Sequence, residues 1–216
     1  MRYFFTTRHE GNMGLHVGDD PCHVLENRDR LRRSLGVSQV VFMNQVHGDE
    51  VFCVDEKMTQ APNCDALITN QKEMALAVMV ADCIPLLLYD QKTQSIGVAH
   101  AGREGTRLKI ASKTVYAMQK HFDAKIEDIQ VYMGASIQAC CYEVSQEVTK
   151  GLEHSMLQKE GKYFLDLPLS NQEELLSIGI KKEHLHTQKT CTCCDKKYFS
   201  YRREKQTGRF VGVICL

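Results

Sequence analysis

The chain has 216 residues, 43% hydrophobic and 25% charged, which is the balance of a globular protein with a sizeable core and excludes a largely disordered one. Its 27 Lys and Arg offset its 27 Asp and Glu, so it lacks the electrostatic footprint of a general nucleic-acid or anionic-membrane binder. The most apolar stretch, Met74 to Tyr89, is broken by Asp82 and Pro85 and falls short of the roughly 20 apolar residues a membrane span needs. The first residues carry no apolar run of signal-peptide length, and cytoplasm is the expected compartment.

No repeat, low-complexity tract or linker divides the chain, so one domain is expected over 1–216. Apolar and β-branched runs predict strands at Tyr3–Thr6, Gln39–Met43, Val51–Val54, Leu76–Val80, Pro85–Tyr89, Ser95–Ala99, Ile129–Met133, Tyr163–Asp166 and Phe210–Cys215. Several lie too close together for a crossover helix, so the pairing cannot be all parallel. A first helix is announced by Asp20-Pro21 and closed by Gly36, with Val24, Arg28, Leu31 and Leu35 at helical spacing. A second follows the stripe Leu108, Ala111, Val115, Met118, Phe122. A third is expected to start at the capping box Ser170–Glu173 and to end at Gly179.

Three apolar runs end on residues able to bind a metal: His47 before Gly48, Asp82-Cys83, and His100 two residues before Gly102. Strand ends are where rigid elements hand over to loops, and functional side chains concentrate there. Two imidazoles and a thiolate would make an open, catalytic type of zinc site. No local motif links the three, so the residues alone leave open that each is a satisfied core or turn residue. Cys83 with His100 as base and Asp82 orienting would also suit a metal-free cysteine nucleophile. A second cluster, His184, His186, Cys191, Cys193 and Cys194, fits a structural zinc site, a redox pair or buried packing. The adjacent Cys140 and Cys141 are awkward for a disulfide staple. Gly102-Arg-Glu-Gly105-Thr106, between a strand and a helix, could cradle an anion with Arg103 and Arg107, or could be only a turn that needs glycine. Gly134-Ala-Ser136 is a weaker version of the same pattern.

Together these segments resemble the laccase-domain family, also called YfiH-like or polyphenol oxidoreductase, which includes peptidoglycan editing factors and purine nucleoside phosphorylases. The matching stretches are Leu15–Pro21 with Asn27-Arg28, Asn44–Gly48, Cys64–Thr69, Ala81–Cys83, His100–Gly102, Ser136–Val144 and Cys191–Asp195 followed by Phe199–Arg203. The resemblance implies an α+β fold, a single domain of packed mixed β-sheets flanked by helices. It implies zinc on His47, Cys83 and His100, leaving the 191–194 cysteines a structural role. Asp82 is the expected acid/base, and Asn44, Gln45, Arg103 and Ser136 the expected substrate contacts. The implied chemistry is phosphorolysis of adenosine, inosine and methylthioadenosine with adenosine deamination in the same site. Purine nucleosides and phosphate are then the partners, without nucleic acid or membrane. Copper-dependent phenol oxidation is the family's older attribution. A non-catalytic accessory role in cell-wall synthesis, as the editing-factor name implies, is a further alternative.

The chain departs from the family at one place. The usual run after the second histidine is His-Ala-Gly-Trp, a cation, then Gly, whereas here Arg103 and Glu104 follow Gly102 and the chain has no tryptophan. The exchange bears on phosphate and substrate preference more than on fold.

Overall fold

The computed structural model describes residues 1–55 and 62–216. The first half runs β1 (Arg2–Phe5), α1 (Pro21–Leu35), β2 (Gln39–Phe42), β3 (Val51–Cys53), β4 (Ala66–Thr69), β5 (Met74–Val80), β6 (Ile84–Asp90) and β7 (Ser95–Ala101). It continues α2 (Arg103–Arg107), α3 (Ile110–Phe122), β8 (Gln130–Met133), β9 (Glu143–Val144), β10 (Met156–Lys159), β11 (Lys162–Leu165), α4 (Leu167–Ser177), β12 (Leu185–Thr187), α5 (Tyr201–Glu204) and β13 (Phe210–Cys215).

Among the described residues the strands form a four-stranded sheet (β1-β13-β5-β2), a six-stranded sheet (β12-β8-β6-β7-β4-β3) and a small one (β10-β11-β9). Both larger sheets are mixed: β2–β5, β3–β4 and β8–β12 pair in parallel, the rest antiparallel. The period of two along each strand explains the layering. On β5, Leu76, Val78 and Val80 face the other large sheet and meet Leu87, Val98 and Phe210. The alternate residues Ala75, Ala77 and Met79 face Leu31 and Leu35 of α1. On β6, Leu86 and Leu88 point away from the first sheet, toward Val115 and Met118 of α3 and Leu175 of α4. The order is therefore helix, sheet, sheet, helices, with the central strands β5, β13, β6 and β7 buried on both faces. This is the α+β arrangement of packed mixed sheets flanked by helices.

Local chemistry accounts for most boundaries. Asp20 accepts a hydrogen bond from the Cys22 amide at the start of α1, Pro21 sits in the first turn, and Gly36 closes the helix in the left-handed region at φ 62°. Two helices differ from expectation. The apolar stripe from Leu108 is split, because Lys109 adopts φ 63° and separates α2 from α3. α4 begins at Leu167 and not at Ser170: the Asp166 carboxylate accepts from the Leu169 amide and Pro168 occupies the first turn, so the earlier cap prevails. Strands β4, β9, β10 and β12 were not among those expected. They are two to four residues long, and β4 is buried at every position and so shows no alternation.

Gly105 lies where α2 crosses the end of β7, and a Cβ there would stand 2.8 Å from the His100 carbonyl oxygen. That neighbour is backbone and cannot swing aside. Gly105→Ala is expected to cost about 1–3 kcal/mol through overpacking, read as a lower thermal midpoint. An unchanged midpoint would show that the helix can shift freely over the strand.

Candidate metal centre and the cavity beside it

β5 belongs to one large sheet and β6 to the other, and the link between them, Ala81-Asp82-Cys83, turns tightly with Asp82 at φ 91°. Cys83 is thereby set at the seam between the sheets. His100 lies near the end of β7, antiparallel to β6 and paired in register with Pro85. His47 comes from the loop after β2 and is held at φ 61°. One donor atom from each of His47, Cys83 and His100 falls within 4.8 Å of the others. The two imidazoles meet edge-on, with ring centroids 4.8 Å apart.

A fully buried carboxylate organises this trio. Asp65 lies 2.8 Å from His100 Nδ1 through Oδ1, which leaves Nε2 for the site. The same carboxylate accepts from the backbone N–H groups of Val46 (3.2 Å), His47 (3.0 Å) and Gly48 (2.6 Å). One side chain thus fixes the ring of one histidine and the backbone carrying the other. Carboxylate-held histidines of this kind are characteristic of metal sites. Gly102 completes the cradle: a Cβ there would stand 2.9 Å from Cys83 Sγ and 3.8 Å from His100 Nε2. The donor set of two imidazoles and one thiolate, with a cavity on the remaining side, fits a zinc-type ion with an open position.

Proton affinities follow the same geometry. Burial alone would raise Cys83, but the facing His100 charge and hydrogen bonds from both imidazoles bring it down to about 6. Burial would lower His100, but the Cys83 thiolate and the Asp65 hydrogen bond raise it to about 9. Asp65 is held below the usual carboxylate range because hydrogen bonds from His100 and Gly48 outweigh its burial. Without metal, Cys83 and His100 form a thiolate–imidazolium pair.

A cavity of about 590 Å³ opens from the trio and is lined by Asn44, Gln45, Asp82, Tyr142, Arg202 and Arg209 among others. Gln45 is fixed by a two-way pairing with Met79, its amide donating to the carbonyl at 2.8 Å and its oxygen accepting from the N–H at 2.9 Å. Among the described residues Asp82 is the single carboxylate on the lining. It accepts from Thr192 Oγ1 (2.7 Å) and from the Arg202 amide (2.6 Å). It is Asp65, not Asp82, that orients His100. A second cavity of about 570 Å³ adjoins the first and shares His16 and Arg209 with it.

Over residues 3–216 the chain matches the family model described as multi-copper polyphenol oxidoreductase laccase. The chain belongs to this family. It is 38% identical, over all of its length and 94% of the relative's, to a Corynebacterium glutamicum protein named purine nucleoside phosphorylase. It is 33% identical to the purine nucleoside phosphorylase YlmD of Geobacillus stearothermophilus, covering 97% of this chain and 88% of that one. The crystal structure of Bacillus licheniformis YfiH superposes with a TM-score of 0.94 at 31% identity, covering 99% of this chain and 92% of that one.

Two expected substrate contacts lie off the cavity of this laccase-family chain. Arg103 is not on its lining and pairs with Glu104 at 3.3 Å; Arg107 also turns to Glu104. Ser136 is buried, forming a β-bridge with Cys191 and accepting from the Gln138 amide. The expected cluster near the C-terminus is also divided. His186 stacks on Tyr132 with centroids 4.7 Å apart, while Cys191 and Cys194 gather with Cys140 and Cys141. The residues not anticipated are Asp65, His16, Tyr142, Tyr201, Arg202 and Arg209. All but Arg209 fall within family-matching stretches, and Arg209 follows the last of these by six residues.

The pairing of Cys83 with His100 has a measurable consequence in metal-free protein. Iodoacetamide labelling of Cys83, mapped by peptide mass, should rise with a midpoint near pH 6. Asp65→Asn should move that midpoint upward, because the imidazolium loses its anchor. A midpoint at the ordinary thiol value of about 8.5 in both proteins would contradict the ion pair.

Proposed function

We propose that this chain is a metal-dependent purine nucleoside phosphorylase with adenosine deaminase activity in the same cavity, the metal being zinc held by His47, Cys83 and His100. The observation that carries the reading is the joining of an open donor trio, two imidazoles and a thiolate, to a cavity lined by the Asp82 carboxylate and by Arg202 and Arg209. The names of the relatives support the purine nucleoside and phosphate part of it. When bound, the zinc supplies a Lewis acid, or activates a water near neutral pH.

The chain's own residues divide the remaining work. Phosphorolysis forms a bond from a phosphate oxygen to C1′ of the ribose and breaks the bond from C1′ to the purine nitrogen, which keeps the electron pair and then takes a proton. Phosphate needs positive charge beside it. Arg209 is half-buried, and its guanidinium, which donates to the Thr207 carbonyl at 2.9 Å, stands with His16 where the two cavities meet. That junction suits phosphate, with the nucleoside in the larger cavity beside the trio. Arg202 adds a second cation to the wall. In deamination water replaces the C6 amine, and Asp82 moves the protons, its hydrogen bonds from Thr192 and Arg202 holding it in place. Asn44 and Gln45 bind the nucleoside from the opposite loop.

Copper-dependent phenol oxidation is the reading that the family's description favours. A multicopper centre needs several clustered imidazoles, and His47, Cys83 and His100 are the one histidine-containing donor group among the described residues. A metal-free cysteine nucleophile would use Cys83 and His100, but would give no role to His47, whose imidazole also bonds to the thiolate.

Adenosine incubated with purified protein and separated by chromatography tests the proposal. Adenine formed only with added phosphate, and inosine formed without it, are expected; an accessory protein would leave every nucleoside intact. Arg209→Ala should raise the KM for phosphate about 10- to 100-fold, the worth of a hydrogen bond to a charged group, and spare deamination. Arg103→Ala should leave that KM within about twofold, since its partner is Glu104 outside the cavity. The reverse pattern would place phosphate at the glycine loop.

A further inference from the structure

We propose that Cys140, Cys141, Cys191 and Cys194 form a second metal site that holds one structural zinc ion in an all-thiolate shell and braces the wall of the cavity.

The four sulfurs come from two turns far apart in sequence. All four lie within 4.8 Å of one another. The separations are 3.3 Å for Cys141–Cys194, 3.8 Å for Cys140–Cys141 and 3.9 Å for Cys140–Cys194. A tetrahedral zinc with Zn–S bonds of about 2.3 Å places its sulfurs about 3.8 Å apart. The cluster therefore already has roughly the dimensions of an occupied four-thiolate site. Cys193 is excluded from it, although it lies between Cys191 and Cys194.

The second turn has the local form of a thiolate-binding loop. Cys191-Thr-Cys-Cys194 gives two ligands spaced C-x2-C, as in structural zinc sites. The amides of Cys194 and Asp195 close the turn on the Cys191 carbonyl at 3.2 and 2.9 Å. Cys191 is buried at the base of this turn. Four thiols in contact cannot all ionise by themselves, whereas a divalent cation at their centre removes the conflict.

The position of the cluster gives the ion a task. Ser136 bridges to Cys191, and the Thr192 amide donates to the Ser136 carbonyl at 3.0 Å. Thr192 holds Asp82 through its hydroxyl, at 2.7 Å. Arg202 donates through its guanidinium to the carbonyls of Cys141 (2.9 Å) and Glu143 (3.0 Å), and through its amide to Asp82. An ion joining the 140–141 turn to the 191–194 turn would thus fix Tyr142, Thr192 and Arg202 relative to the carboxylate on the cavity lining. Cys140 and Cys194 are exposed, so the ion would be reachable by chelators and thiol reagents.

The test removes the other site first. A His47→Ala/Cys83→Ser double variant, purified with zinc in the medium and dialysed, should retain one zinc per chain by elemental analysis. X-ray absorption should give it a shell of four sulfurs at about 2.3 Å. Adding Cys194→Ser or Cys141→Ser should abolish that zinc and lower the thermal midpoint, and adding Cys193→Ser should leave it in place. The proposal is overturned if the double variant is zinc-free, if its zinc has nitrogen or oxygen ligands, or if intact-mass analysis finds Cys141 and Cys194 disulfide-linked in its place. These readouts do not depend on nucleoside turnover, so they stand apart from the proposed activity.

Discussion

The buried carboxylate of Asp65 is the constraint on which the site depends. It is fully enclosed, accepts three backbone amides from the His47 loop, and holds the imidazole of His100. An uncompensated charge at such depth would cost several kcal/mol, so the loop and the ring are obliged to adopt the positions that satisfy it. Left-handed backbone at His47 is part of the same arrangement: that conformation is uncommon for a residue other than glycine and persists only where surroundings over-determine it. The second-sheet strand β4 begins immediately after Asp65, which anchors the carboxylate to the core.

The two-sheet architecture supplies what Asp65 cannot. β5 and β6 lie in different sheets, and the three residues between them carry the chain across the seam. Cys83 and Asp82 are delivered there side by side, one toward the imidazoles and the other toward Thr192 and Arg202. Close packing on both faces of β5 and β6 leaves little room for this turn to relax. Preorganisation of donors, carboxylate and cations around one cavity is what catalysis by electrostatic stabilisation requires. The departure at Arg103-Glu104 fits this picture: Glu104 pairs with both Arg103 and Arg107, and the cations on the cavity lining come from the C-terminal segment.

Much of the fold was legible from local signals, apolar β-branched runs for strands and caps for helices. β13 was read residue for residue, and α1 from its cap, proline and terminal glycine. His47, Cys83 and His100 stand out in the sequence as possible donors closing apolar runs, which leaves open that each is a core or turn residue, and only the structure brings their donor atoms together. What was not legible has physical reasons. Asp65 sits between a cysteine and an apolar strand, and nothing local marks a carboxylate whose partners are 17 to 35 residues away. Arg103 beside a glycine loop reads as an anion ligand in the sequence, and its pairing with the neighbouring Glu104 at 3.3 Å shows only in the structure. Cys140 and Cys141 gave no sign of meeting Cys194, which lies 53 residues beyond Cys141, because pairing at that distance depends on how two turns pack.

The central claim is that His47, Cys83 and His100 hold one metal ion open to the cavity. Anomalous diffraction at the zinc edge, from crystals grown with zinc, tests it most directly. A peak bonded at about 2.0–2.1 Å to a nitrogen of each histidine and at about 2.3 Å to the Cys83 sulfur, with its remaining side facing Asp82 and Arg209, is the predicted result. An empty trio in crystals that carry zinc elsewhere, or an ion enclosed by a fourth protein ligand, would contradict it.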